Sequence, residues 1–237
     1  MSLLPWLNPE NAFPELHTAL DEPNGLLAAG GDLSPARLVK AYSAGIFPWS
    51  SGDQPLLWWS PDPRCVVYPD NVHVSRSLKK AIRKQKLSLS FDQCFEEVID
   101  HCARGEEETG GWITDEMKSA YKNLAGQSIA HSVEVWREGN LIGGLYGICL
   151  GNCFFGESMF SVESGASKLA FAALCKQVKR WGFPLIDCQI ENEHLFSLGA
   201  ELISRDKFIA TIESHLSREQ SVVWSFDDDI IDDVLAS

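Results

Sequence analysis

Ser132-Val133-Glu134-Val135-Trp136 alternates polar and apolar side chains, Glu138-Gly139-Asn140 supplies turn residues, Leu141 to Leu150 runs apolar, Gly151-Asn152 turns again, and Cys153 to Phe160 runs back. Period-two alternation and apolar runs bounded by Gly and Asn predict three strands in an antiparallel meander. Ala166 to Trp181 follows, with Ala170, Leu174 and Val178 four apart and Gly182 and Pro184 as its stop, so the spacing predicts a helix with one buried face. Pro184-Leu185-Ile186-Asp187-Cys188-Gln189 then reads as a buried strand that turns polar at its far end. Strands, helix and strand in this order predict an α/β (α+β) fold around a mixed, mostly antiparallel sheet.

Upstream of the meander, Ser75 to Lys86 suits a basic helix, Leu87 to Phe91 alternates like a half-buried strand, and Asp92 is placed to cap a helix burying Phe95, Val98, Ile99 and Cys102. An acidic loop from Glu106 to Trp112 leads to a helix with Met117, Tyr121 and Leu124 on one face. Nearer the start, Ser34 caps and Pro35 opens a short amphipathic helix that Gly45 ends. Prolines at 61 and 63 break regular structure, which sets a boundary at residue 62 between a small N-terminal domain, 1–62, and a larger one, 63–237. The aspartate-rich stretch from Asp227 to Asp233 reads as a solvated tail.

A chain of 237 residues that is 45% hydrophobic can bury a core of this size. It has no run of about 18 apolar residues and opens without a secretory signal, which predicts a cytoplasmic protein with no membrane partner. Seven cysteines, at 65, 94, 102, 149, 153, 175 and 188, form no Cys-x-x-Cys pair and lie mostly in apolar surroundings, so buried thiols are expected rather than disulfides or structural zinc. The six histidines show no His-Glu-x-x-His spacing, and no metal is expected. A net charge of -13 argues against a polyanionic partner. Locally the balance reverses: Arg76, Lys79, Lys80, Arg83, Lys84 and Lys86 place six of the 20 basic residues in 11 positions without a carboxylate. That run is either a solvated helix face or a phosphate-binding patch on an acidic body.

Two polar clusters interrupt apolar strands. In Phe154-Phe155-Gly156-Glu157-Ser158-Met159-Phe160 a carboxylate sits among aromatics, where burial disfavours its charge unless donors or a cation meet it. In Ile186-Asp187-Cys188-Gln189, regular strand geometry puts Asp187 and Gln189 on one face and Cys188 on the other. A carboxylate beside an amide suits a hydrogen-bond relay; the alternative is that Asp187 caps the next turn and Glu157 pairs with a core cation such as Lys168. Trp49, Trp58, Trp59 and Trp112 lie in expected loops, where flat rings either stack nucleobases or pack under the loop.

At these residues the sequence resembles the leucyl/phenylalanyl-tRNA–protein transferases of the bacterial N-degron pathway. The matching segments are Glu22 to Leu27, Gly30-Gly31-Asp32-Leu33-Ser34-Pro35, Gly45-Ile46-Phe47-Pro48-Trp49, Trp58-Trp59-Ser60-Pro61-Asp62-Pro63-Arg64, Gly156-Glu157-Ser158-Met159-Phe160-Ser161, Ala166-Ser167-Lys168, Asp187-Cys188-Gln189, His194-Leu195 and Ser197-Leu198-Gly199-Ala200, in the family's order. The resemblance implies a small N-terminal domain joined to a GNAT-like acyltransferase domain. It implies transfer of Leu or Phe, less readily Met, from Leu-tRNA or Phe-tRNA to proteins beginning with Arg or Lys, by a monomer that needs no cofactor. Carried over, the aminoacyl side chain enters an apolar pocket of Leu145, Phe154, Met159, Leu174 and Ile186. The terminal adenosine lies near Trp49 and Trp112, with Glu157 and Asn192 as polar contacts.

In the mechanism the family suggests, Asp187 polarises Gln189, whose carbonyl draws a proton from the attacking α-amine. An amine with a pKa of about 7.7–8.0 is partly neutral at cytosolic pH, so positioning matters more than a strong base. The basic run would hold tRNA phosphates, and Glu106, Glu107 and Glu108 are candidates to attract the cationic N-terminus. Two rival readings are an acetyl-CoA-dependent acetyltransferase and a non-catalytic tRNA-binding adaptor. Val162-Glu163-Ser164-Gly165-Ala166-Ser167 lacks the pyrophosphate loop the first would need.

Overall fold

The computed structural model describes residues 4–8, 10, 12–51, 54–107, 111–218 and 222–237. Two sheets form. The smaller joins β1 (Trp6–Leu7), β2 (Leu26–Gly30), β3 (Phe47–Pro48) and β4 (Leu57–Trp59) in the order β1-β2-β4-β3, with α1 (Pro35–Ser43) between β2 and β3. Ser34 caps α1 by accepting the Arg37 N–H, and Pro35 occupies its first turn, as the sequence predicts.

The larger sheet begins with β5 (Arg64–Val67), after which come α2 (Arg76–Arg83), β6 (Leu87–Phe91), α3 (Phe95–Glu107) and α4 (Asp115–Gly126). The meander is β7 (Ala130–Arg137), β8 (Asn140–Leu150) and β9 (Cys153–Ser161), followed by α5 (Ala166–Arg180) and β10 (Ile186–Gln189). The chain ends through α6 (Glu193–Ser197), β11 (Glu201–Ile203), α7 (Arg205–Leu216) and α8 (Ile230–Ala236). Strand order is β11-β5-β10-β9-β8-β7-β6, and β9 with β10 is the one parallel pair in this sheet among the described residues. The α/β reading with a mixed, mostly antiparallel sheet is therefore what forms.

Alternation along the central strands fills two cores. Leu145 and Cys149 of β8, Phe154 of β9 and Val67 of β5 point to a layer holding α2, α5 and α8. Tyr146, Ile148, Phe155 and Val66 point to the opposite layer with α1, α3, α4 and α7. The small sheet contributes Leu27, Phe47 and Trp58 to that second core, so it packs as one wall of the same body. Between β8 and β9, Gly147 faces Gly156 in register. A Cβ on Gly147 would lie 2.3 Å from the Phe155 carbonyl and 2.6 Å from the Phe154 ring. Gly147→Ala is expected to cost about 1–3 kcal/mol, read by urea denaturation, because a backbone atom on that side cannot yield.

Four local expectations are corrected. Asp92 does not cap α3: with φ +57 it turns back, and its carboxylate accepts the Ser132 N–H at 2.8 Å and meets His131 Nδ1 at 2.7 Å. Trp58 and Trp59 lie on β4 and are buried, their indole N–H groups donating to the carbonyls of Gly30 and Trp49. Glu106 and Glu107 continue α3 instead of opening a loop, and Glu108 lies outside the described residues. The aspartate run is no tail. Arg180 gathers Asp227, Asp229 and Asp233, while Ile230 and Val234, one turn apart, bury α8 against α5.

Candidate active site

The pairing of β9 with β10 lasts two residues, Phe154 with Ile186 and Phe155 with Asp187, and then stops. Beyond it the strands bound a cavity of about 320 Å³. Its apolar wall includes Leu145, Phe154, Met159 and Leu174, and its polar side carries Glu157, Gln189 and Asn192, with Trp49 and Trp112 among the lining residues. Trp49 and Asn192, 143 positions apart in sequence, thus converge on one opening. Trp49 is 41% exposed at the cavity, and its ring makes a T-shaped contact with that of Trp59, 5.5 Å between centroids. Asn192 caps α6 by accepting the Leu195 N–H at 2.8 Å.

Ile186 and Asp187, expected at the pocket, sit behind it. Ile186 is fully buried beside Phe154 in the core. Asp187 is also fully buried, its carboxylate gripped by Arg64 through Nε at 2.8 Å and Nη2 at 2.7 Å. The Arg64 guanidinium lies between the Phe47 and Phe208 rings, 4.7 and 4.6 Å from their centroids, and donates its remaining nitrogen to the Gly45 carbonyl. The expectation that Asp187 and Gln189 share a face fails because Cys188 is an extra residue in the ladder: Gln189, not Cys188, pairs with Cys65. Gln189 takes φ +62, and its backbone N–H donates to Asp187 Oδ1 at 3.0 Å. Asp187 therefore fixes the Gln189 backbone, and Cys188 and Gln189 both reach the cavity.

Glu157 holds the Gln189 side chain. Gln189 Nε2 donates to Glu157 Oε1 at 2.8 Å, which leaves the amide carbonyl as the end able to meet a ligand. The hydroxyls of Tyr42 on α1 and Tyr121 on α4 lie 2.6 and 2.7 Å from the two Glu157 oxygens and 2.7 Å from each other. No ion pair with Lys168 forms; that Nζ lies 3.5 Å from the Ser197 hydroxyl. Burial pushes the Glu157 carboxyl up to about 7 against the lowering effect of its donors, and burial with the Glu157 charge raises both phenols well above their usual range. Tyr42, Tyr121 and Arg64 were not predicted as site residues. The signal was present: a carboxylate among aromatics needs donors, and Tyr121 lies on an expected helix face while Tyr42 falls in the expected amphipathic helix.

Away from the cavity, α2 buries Leu78 and Ile82 and leaves Arg76, Lys80, Arg83, Lys84 and Lys86 exposed and Lys79 half-exposed. None of the six forms a salt bridge with a described residue. Among the described residues no group of three or more His, Cys, Asp or Glu could hold a metal ion, and no helix is long and apolar enough to cross a membrane.

Two family models match the chain: leucyl/phenylalanyl-tRNA protein transferase over residues 66–213, and the N-terminal domain of the same proteins over 31–62. The leucyl/phenylalanyl-tRNA–protein transferase of Hahella chejuensis is 52% identical over 225 residues, which are 94% of this chain and 96% of that protein. That of Cellvibrio japonicus is 56% identical over 208 residues, 87% of this chain and 88% of its own length. Among solved structures, a GCN5-related N-acetyltransferase from Kribbella flavida is similar over 72% of this chain and 61% of its own, at 11% identity and a TM-score of 0.35.

Proposed function

The chain belongs to the leucyl/phenylalanyl-tRNA–protein transferase family, and from that premise we propose that it moves Leu or Phe, less readily Met, from aminoacyl-tRNA to the α-amino group of proteins beginning with Arg or Lys. The new peptide bond marks the acceptor for degradation. The observation that carries the reading is the cavity itself: apolar walls with room for a large aliphatic or aromatic side chain, and at the polar side the Gln189 amide, turned by Glu157 so that its carbonyl is the end left for a ligand.

The reaction is direct aminolysis. The acceptor's neutral α-amine attacks the ester carbonyl, the C–N bond forms, the ester C–O bond breaks, and the proton lost by nitrogen ends on the vacated ribose oxygen. Gln189 is the catalytic residue, accepting a hydrogen bond from the amine and aiming its lone pair. An amide is too weak a base to take the proton fully, so its contribution is orientation. Asp187 and Glu157 are positioning residues, holding the backbone and the side chain of Gln189 respectively. Leu145, Phe154, Met159 and Leu174 receive the aminoacyl side chain, and Trp49 and Trp112 stack the terminal base. Ile186 supports that wall from behind. Residues 1–62 form the small N-terminal domain, which lends Tyr42 and Trp49 to the site, and the cytoplasmic monomer uses no cofactor.

The basic run on α2 meets tRNA phosphates. Replacing Lys80 and Lys84 with alanine is expected to weaken tRNA binding and to flatten the plot of log affinity against log salt by about 0.7–0.9 per lost contact, measured by filter binding. The function itself is tested with Leu-tRNA and Phe-tRNA carrying labelled amino acid and unfolded acceptors differing only in their first residue. Label on acceptors starting with Arg or Lys and none on a Gly-starting acceptor is the expected result; equal labelling of all three would reject the acceptor rule.

A further inference from the structure

Tyr42 and Tyr121 close a ring with the two carboxyl oxygens of Glu157: Tyr42 Oη lies 2.6 Å from Oε1, Tyr121 Oη 2.7 Å from Oε2, and the two phenol oxygens 2.7 Å from each other. Each contact is a hydrogen-bond distance and needs one proton. Two phenols bring two protons. An ionised carboxylate brings none, so one of the three contacts would be two bare oxygens facing each other. A neutral Glu157 supplies the third: its hydroxyl donates to one tyrosine, that tyrosine to the other, and the second tyrosine back to the remaining carboxyl oxygen. That oxygen still accepts from Gln189 Nε2.

We propose that Glu157 works in its protonated form, closing this ring with Tyr42 and Tyr121, and so presents the acceptor's α-amine with an uncharged wall that keeps the amine as a free base. The consequence for the amine rests on the transferase reading above; the ring does not. An ionised Glu157 beside the amine would favour the ammonium form, which has no lone pair to attack with. Burial and the Asp187 charge favour the neutral acid, while the hydrogen bonds from Tyr42, Tyr121 and Gln189 pull the other way. Tyr42 faces it from α1 and Tyr121 from α4, and behind them lies Tyr146 of β8, whose ring is 5.5 Å from that of Tyr121. From β10 come Gln189, a neutral donor, and the charge of Asp187, which opposes ionisation and is itself matched by Arg64 of β5. Glu191 and His194 line the same cavity. Burial pushes the carboxyl up to about 7, and both phenols keep their protons well beyond that. Since the folded state raises this carboxyl above its unfolded value, the stability it contributes is present in acid and is lost as pH rises through about 7.

Infrared difference spectroscopy against pH on the wild-type protein and E157Q tests the ring without any transfer assay. The expected result is a protonated-carboxyl C=O band in the wild type that titrates near neutrality, is absent from E157Q, and shifts its midpoint in Y121F. Y121F carries the assignment should E157Q not fold. Transfer kinetics test the consequence: E157A is expected to lower kcat/KM about a hundredfold. E157Q, which stays neutral and keeps both a donor and an acceptor, is expected to return it to within about tenfold of the wild type and to lose the fall in activity above neutral pH. A Glu157 carboxylate ionised across pH 6 to 8, or E157Q as impaired as E157A, overturns the proposal. If no variant and no wild-type sample transfers at all, the function reading fails while the infrared result still decides the ring.

Discussion

Asp187→Ala is expected to destabilise the protein by about 3–5 kcal/mol and to abolish transfer, because it leaves the Arg64 cation buried without its counter-charge. Both partners are essentially inaccessible, and the guanidinium would keep only the Gly45 carbonyl and two ring faces. Arg64→Ala should cost as much for the mirror reason. Replacing both at once, R64M with D187L, is expected to recover most of the stability, since an apolar pair of similar volume avoids the desolvation of two ions. It should not recover transfer: the Gln189 N–H has lost its acceptor and the bulge at Cys188 its anchor. Urea denaturation alongside transfer kinetics separates the two effects. A loss under about 1 kcal/mol in D187A would mean the pair is not buried as described.

Gln189→Ala is expected to do the reverse, lowering kcat about 10²–10³-fold with folding stability changed by less than about 1 kcal/mol. The side chain sits at the cavity and packs little, so removing it opens no hole in the core. Its backbone is the costly part. A non-glycine residue at φ +62 carries about 1–2 kcal/mol of strain, held here by the Asp187 hydrogen bond. Gln189→Gly should therefore be at least as stable as the wild type and as inactive as Gln189→Ala. Comparable tRNA affinity in all three would place the loss in the chemical step; a parallel loss of affinity would make Gln189 a binding residue instead.

Local patterns carried the meander and α5 into the reading of the sequence, because alternation and four-residue spacing are written within each element. Trp58 and Trp59 were misread since nothing within a short tryptophan pair distinguishes a short strand from a loop; only the pairing of β4 with β2 and β3 does so. The C-terminal aspartates looked solvated because their partner, Arg180, lies some 50 residues away. The site divides the same way. Glu157 and Gln189 stood out as polar breaks in apolar strands. The groups that control them, Tyr42, Tyr121 and Arg64, are 115, 36 and 123 residues from the carboxylates they hold. The bulge is a property of the ladder between β10 and β5, and period-two reasoning on one strand cannot contain it.

On the proposed reading, the cavity between β9 and β10 moves an amino acid straight from tRNA to an acceptor amine. The most direct measurement is a rapid-quench single turnover with labelled Phe-tRNA and an Arg-starting acceptor, comparing wild type with Gln189→Ala and following label on tRNA, enzyme and acceptor together. Label is expected to leave the tRNA and reach the acceptor at one rate, with none held on the enzyme, and Gln189→Ala to slow that single step. Label accumulating covalently on the enzyme, or an unchanged rate in Gln189→Ala, would contradict it.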